Sequence, residues 1–101
     1  MNVLGIKNWL DPTFSGSLKD KRAVRQSLMA KLKKDFSLSV RETDLQDSVQ
    51  QLVVSATFVC LNESEGEEYI LKIQDFVYGF TLDRSCVLRS LTWDVVDVWN
   101  L

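Results

Sequence analysis

Histidine is absent from the sequence. With it go the commonest general base, the usual zinc ligand and the side chain that switches charge near neutral pH. One proline and four glycines leave no low-complexity linker between domains, so the 101 residues are expected to form a single domain over 1–101. The two cysteines, Cys60 and Cys86, each sit in an apolar stretch without C-x-x-C spacing. No zinc or iron–sulfur ligand set can be assembled around them. A disulfide between them stays formally open, but two buried thiols in a reducing compartment are the favoured reading, because cysteine packs as a small hydrophobe. Long hydrophobic runs are also lacking. The stretch Leu52–Leu61 is the most apolar, yet it contains Ser55 and Thr57 and is far too short for a bilayer. Lys7 and Asp11 interrupt the first apolar letters before a signal-peptide core can form. A cytoplasmic protein with no membrane partner is expected.

What is present is ordinary globular material, 46% apolar and 26% charged, enough for one modest core. Val3 to Leu10 reads as a strand, with Leu4, Ile6 and Leu10 on one face and Val3, Gly5, Lys7 and Trp9 on the other. Asp11-Pro12 is expected to break it. Ser17 and Asp20 have the spacing of a capping box, and Val24, Leu28, Leu32 and Phe36 recur every fourth residue behind it. A helix over about 17–35 follows. Leu38 and Val40 alternate with polar neighbours as a half-buried strand, and Thr43–Asp47 is polar and turn-like. The strongest strand signal is Gln50–Asn62, with Val54, Ala56, Phe58 and Cys60 on one face. Ser64 and Glu67 suggest a second capped helix to about residue 80, with Ile70, Ile73, Val77 and Phe80 as its apolar face. A last strand lies within Cys86–Trp99, its register obscured by Val95-Val96.

The order βαββαβ predicts an α+β, ferredoxin-like architecture: a four-stranded antiparallel sheet with both helices on one face. Right-handed crossovers put the first and third strands in its centre. The other face, with Val3, Trp9 and a Trp of the last strand, is then open, a surface more often covered by a second subunit.

Charge is divided along the chain. Residues 17–41 carry eight basic and two acidic side chains, whereas residues 42–101 carry three basic and eleven acidic. Lysines on a helix are most often a solvated face. However, Lys19, Lys21 and Arg22 fall in the first turns, where the helix dipole disfavours cations. A bound phosphate would reverse that penalty by drawing free N–H groups and basic side chains to one anion. Ser17, Lys19, Lys21, Arg22 and Arg25 are therefore the candidate anion- or RNA-binding residues, with Gly16-Ser17 as the nearest cradle. Lys21 and Arg25 lie one turn apart, near the edge of the apolar stripe.

Catalytic patterns are missing. There is no P-loop, dinucleotide-binding glycine pattern, nucleophile elbow, aromatic-rich ribonucleoprotein motif or GXXG loop. Asp44 and Asp47 are paired carboxylates, a spacing that more often caps a turn than holds a cation. No catalytic residue, metal or cofactor is assigned.

The run Ser17-Leu18-Lys19-Asp20-Lys21-Arg22, followed by Val24, Ser27-Leu28, Leu32 and Phe36-Ser37, resembles the YlxP-like family of small bacterial proteins of unknown function. The likeness continues through Ser39-Val40, Glu42, Gln46-Asp47 and the third strand to Asn62, and weakens after about Phe80. Arg25, where similar proteins often carry an aliphatic residue, and Leu10-Asp11-Pro12 depart from the pattern. The resemblance implies a ferredoxin-like fold and, because such proteins are often encoded beside translation factors, a role near ribosome maturation. Residues and resemblance together lead to a non-enzymatic cytoplasmic protein that associates with RNA or the ribosome through its basic first helix. Two alternatives stand beside it: a regulatory or scaffolding homodimer acting through its open sheet face, and a phosphate-chemistry enzyme of acylphosphatase-like fold.

Overall fold

The structure, a computed structural model, describes residues 1–12, 17–84 and 86–99. Its elements run β1 (Asn2–Pro12), α1 (Leu18–Phe36), β2 (Ser39–Asp44), β3 (Leu52–Cys60), α2 (Glu63–Asp83) and β4 (Cys86–Asp97). The strands form one antiparallel sheet in the order β2-β3-β1-β4. The expected ferredoxin-like fold is what the chain adopts, with β1 and β3 central. Leu4, Ile6 and Leu10 of β1 and Leu52, Val54 and Ala56 of β3 bury one sheet face under the apolar stripes of the two helices.

Local chemistry explains most boundaries. Ser17 caps α1, its hydroxyl accepting from the Asp20 N–H at 3.1 Å and donating to the Asp20 carboxylate at 2.9 Å. Ser37, in the left-handed region at φ 53°, closes the other end by donating its N–H to the Leu32 carbonyl. The start of α2 differs from the sequence expectation. Its cap is Asn62, not Ser64, and the Asn62 side chain accepts from the Glu65 N–H at 2.8 Å. Glu65 reaches back to the Leu61 N–H at 3.2 Å, so the reciprocal cap sits two residues earlier than the Ser64–Glu67 pair.

β1 also runs further than expected. Asp11 and Pro12 stay in the strand, paired with Val87 and Cys86. Pairing with β3 stops at Leu10↔Leu52, so Pro12 lies where β1 has a neighbour on one side only and its missing N–H breaks no ladder there. The register of β4 is clear in three dimensions: a bulge between the pairs Trp9↔Ser90 and Leu10↔Leu88 adds Arg89. Trp93 faces Ile6 and so belongs to the helix side of the sheet, while Trp99 lies beyond the strand. The last strand thus lends no Trp to the open face, contrary to expectation.

Two close approaches lock the helices down. Gly66 of α2 lies so near β4 that a Cβ there would come within 2.7 Å of the Val95 side chain. Phe36, Phe58, Tyr69 and Phe76 form an aromatic group between the helices and β3, and the Tyr69 hydroxyl donates to the Phe36 carbonyl at the end of α1.

Candidate functional site

Five residues were expected to surround an anion at the start of α1. The helix turns them to different sides. Lys21 is 1% exposed, the largest fully buried side chain of the described residues. Its Nζ donates to the backbone carbonyls of Leu45 (3.0 Å), Gln46 (3.3 Å) and Ser48 (2.6 Å) and stands 2.9 Å from the Glu42 carboxylate. The geometry to Glu42 Oε2 is an ion-pair contact rather than an aligned hydrogen bond, since the three carbonyls already take the ammonium's three N–H groups. Arg25, one turn on, completes the group by donating to Glu42 Oε1 at 3.0 Å. These two cations are engaged beneath the helix, on Glu42 and the loop after β2.

Glu42 points inward because it follows the buried Val40 by two residues in a strand whose side chains alternate. Just beyond it β2 carries a bulge between Glu42 and Asp44, which takes up Thr43. Glu42 pairs with Val54 on the helix side, whereas Asp44 pairs with Val53 and faces the open side. There Asp44 meets Lys7 at 3.1 Å. Hydrogen bonds from Lys7 and Thr43 hold its carboxyl below the usual carboxylate range.

Ser17, Lys19 and Arg22 remain at the surface, Ser17 as the cap. Gly16, the other half of the expected cradle, lies outside the described residues. Helical spacing puts Lys19, Arg22, Lys33 and Lys34 on the side of α1 opposite Val24, Leu28 and Leu32, and all four are exposed. Asp20 and Asp35 fall off that face, which carries basic side chains at its two ends, Lys19 with Arg22 and Lys33 with Lys34, about 22 Å apart, and Ala23, Gln26 and Ala30 between them.

The open sheet face is the second feature. Val3, Gly5, Lys7 and Trp9 of β1 share it with Val53, Ser55, Thr57 and Val59 of β3 and with Thr92, Asp94 and Val96 of β4. Its first end is apolar: Val3 pairs with both Val59 and Val96, which are 62% and 51% exposed. Its middle is a shallow hollow of about 410 Å³ over Gly5, where small side chains leave the backbone uncovered.

Other candidate chemistry is sparse. Among the described residues no three or more His, Cys, Asp or Glu side chains gather as a metal site. Cys60 and Cys86 are free thiols, both pushed up in pKa by burial, which disfavours the thiolate. Asn8, which the sequence reading passed over, is wholly buried on the helix side. Its Nδ2 donates to the Val54 carbonyl at 3.3 Å and its Oδ1 has no partner. Among the described residues no helix is long and apolar enough to cross a membrane.

Fold and surface together define a ferredoxin-like α+β protein with one covered and one open sheet face. Residues 10–87 match the family of proteins of unknown function DUF503, and the chain belongs to that family. No match to the chain was found among curated proteins. Solved structures share the fold at low identity. A dimeric ferredoxin-like protein from an uncultured marine organism is 8% identical with a TM-score of 0.58, covering 97% of this chain and 98% of its own. A second such dimeric protein, also from an uncultured marine organism, is 17% identical with a TM-score of 0.56, covering 100% and 97%. SnoaB, a cofactor-independent oxygenase from Streptomyces nogalater, is 12% identical with a TM-score of 0.54, covering 99% and 95%. At such identity the likeness is one of fold.

Proposed function

We propose that the chain is a non-catalytic binding protein that works as a homodimer, two copies packing open sheet face to open sheet face. The observation that carries this reading is the valine patch at Val3, Val59 and Val96 beside the hollow over Gly5. It is apolar surface with no cover of its own, next to a recess that a second copy's side chains can enter. Four strands about 4.8 Å apart and roughly ten residues long present about 600 Å² per copy, or about 1,200 Å² for the pair. That reaches the lower range of specific interfaces. Two fold neighbours are described as dimeric, which supports association of two copies.

Such a dimer leaves both α1 helices outward. The exposed basic pairs Lys19–Arg22 and Lys33–Lys34 then support the finer reading, association with RNA or the ribosome in the cytoplasm, as the YlxP-like resemblance implies. The two halves of the proposal separate experimentally. Sedimentation should give a dimer at tens of micromolar, an order-of-magnitude range for such interfaces, and Val59→Lys with Val96→Lys should give a folded monomer. A monomeric parent chain at that concentration would overturn the dimer. Retention on ribosomal RNA should fall steeply with salt if phosphates are the contacts; absence of retention at low salt would overturn the RNA half alone.

A further inference from the structure

At the far end of the open face, about 20 Å along β1 from Val3, a pocket of about 280 Å³ is lined by Lys7, Trp9, Asp44, Leu45 and Val53. Its walls are held by interactions that no solvated surface requires. The Trp9 indole N–H donates to Gln51 Oε1 at 2.7 Å, fixing the ring, and the Arg89 guanidinium lies 5.8 Å from the ring centre. Val53 is 3% exposed although it belongs to the open face. Leu45 sits at φ 53°, a conformation that a leucine rarely adopts, and its side chain is nevertheless half exposed. What holds Leu45 there is Lys21, whose buried ammonium takes the Leu45 carbonyl, helped by the Ser48 N–H on the same oxygen at 3.0 Å.

Both edge strands of the sheet, β2 and β4, are bulged at this end. The β2 bulge turns Asp44 to the open face beside Lys7, and the β4 bulge adds Arg89 beside Trp9. Bulges recur beside binding sites because they re-aim one side chain without unpairing the sheet. The result is an apolar pocket floor of Trp9, Val53 and Leu45 with one cation and one carboxylate 3.1 Å apart at the rim. That pair is half exposed on both sides, so opening it costs little.

We infer that this pocket binds a free α-amino acid with an apolar side chain. The side chain lies against Trp9, Val53 and Leu45, the ligand carboxylate takes the Lys7 ammonium, and the ligand ammonium takes the Asp44 carboxylate. A phosphate or other simple anion is disfavoured by Asp44, and a simple cation by Lys7. A neutral apolar molecule leaves the rim pair unused. The volume, at the small end of ligand pockets, suits a molecule of amino-acid size. The pocket shares the open face with the proposed dimer contact, so a second copy covering the whole face would compete with the ligand there, although the valine patch itself lies at the other end of β1.

Titration of the intact chain with L-phenylalanine, followed by the NMR signal of the Trp9 indole N–H, tests it. A saturable shift is expected. 3-Phenylpropionate, lacking the amine, and phenethylamine, lacking the carboxylate, should each bind about tenfold more weakly. Lys7→Met should weaken phenylalanine but not phenethylamine; Asp44→Asn should weaken phenylalanine but not 3-phenylpropionate. No saturable shift by about 20 mM, a limit below which specific weak ligands saturate, would overturn the inference. Equal binding of the three compounds, or a Trp9 signal that changes with protein concentration and ignores ligand, would do the same, the last because a second copy then fills the pocket. The Val59→Lys chain, measured alongside, should bind phenylalanine at least as tightly as the parent, since weakening the dimer uncovers the pocket; weaker binding by that chain would overturn a site built from Lys7, Trp9 and Asp44 alone.

Discussion

The Lys21 ammonium stands 2.9 Å from the Glu42 carboxylate, joining α1 to β2 with both side chains withdrawn from water. Desolvating two charges is costly, and the cost is offset here by three carbonyls on the lysine and Arg25 on the carboxylate. Lys21 is therefore a positioning residue for the β2–β3 loop. Lys21→Met should destabilise the fold by about 3 kcal/mol, because Glu42 loses its buried partner and three carbonyls lose their donor. Urea unfolding of Lys21→Met, Glu42→Leu and the double variant checks this. The double variant should be more stable than Lys21→Met; a change below about 1 kcal/mol in the single variant would contradict a buried pair.

Gly66→Ala tests the contact between α2 and β4. Alanine gains about 1 kcal/mol of helix propensity, but its Cβ would meet Val95 at 2.7 Å and Cys60 Sγ at 3.1 Å. Valine is stiff about χ1, so the clash should dominate, with a net loss of about 1–2 kcal/mol. Val95→Ala should lessen the effect of Gly66→Ala. If Gly66→Ala raises the thermal midpoint, α2 sits further from β4 than described.

The exposed basic residues at the two ends of α1 can be altered without unfolding the chain, provided Lys21 and Arg25 are spared. Arg22→Glu should gain about 0.3–1 kcal/mol near the start of α1, and Lys33→Glu should lose a like amount near its end. The double variant should match the parent in thermal unfolding while losing RNA retention at low salt. Retention unchanged in that variant would remove α1 as the contact.

Alkaline pH should weaken the fold. Burial pushes the Cys60 and Cys86 thiols up from an ordinary value of 9.0 and the Tyr69 hydroxyl up from 10.0. Each group is neutral when protonated, so the folded chain keeps protons that the unfolded chain gives up. The stability they contribute is fully present below about pH 9 and declines as pH rises through the raised values. Urea midpoints at pH 8 and 10 should show the fall, and Cys60→Ala with Cys86→Ala should flatten it.

The architecture was legible because its signals are periodic. The fourfold spacing of Val24, Leu28 and Leu32 and the alternation of Val54, Ala56 and Phe58 report covered faces directly. Single-residue events were less so. Nothing in the alternation announces the extra residue at Arg89, which shifts β4 by one step and decides that Trp93 faces the helices. Asn62 and Ser64 both make acceptable caps, and only the path of the chain after β3 chooses between them. Lys21 falls within the buried stripe, three residues before Val24 and seven before Leu28, and Glu42 two residues after Val40 at an inward step. Opposite charges at two inward positions were the available clue. A lysine in a charge run was read as surface, and its burial became evident only with Glu42 and the loop carbonyls around it.

The strand order β2-β3-β1-β4 has a consequence for synthesis. β1 is made before the other three strands, and both of its partners, β3 and β4, come much later in the sequence, so Leu4 meets Val95 only after α1, β2, β3 and α2 have been made. At about 5–20 residues per second, the nascent chain carries an unpaired, apolar β1 for several seconds while α1, β2 and β3 emerge. α1 can form from local contacts in that interval, but the sheet cannot close. Lys7 and Asp11 interrupt β1 with charge, a pattern that disfavours pairing with a neighbouring nascent chain during that delay.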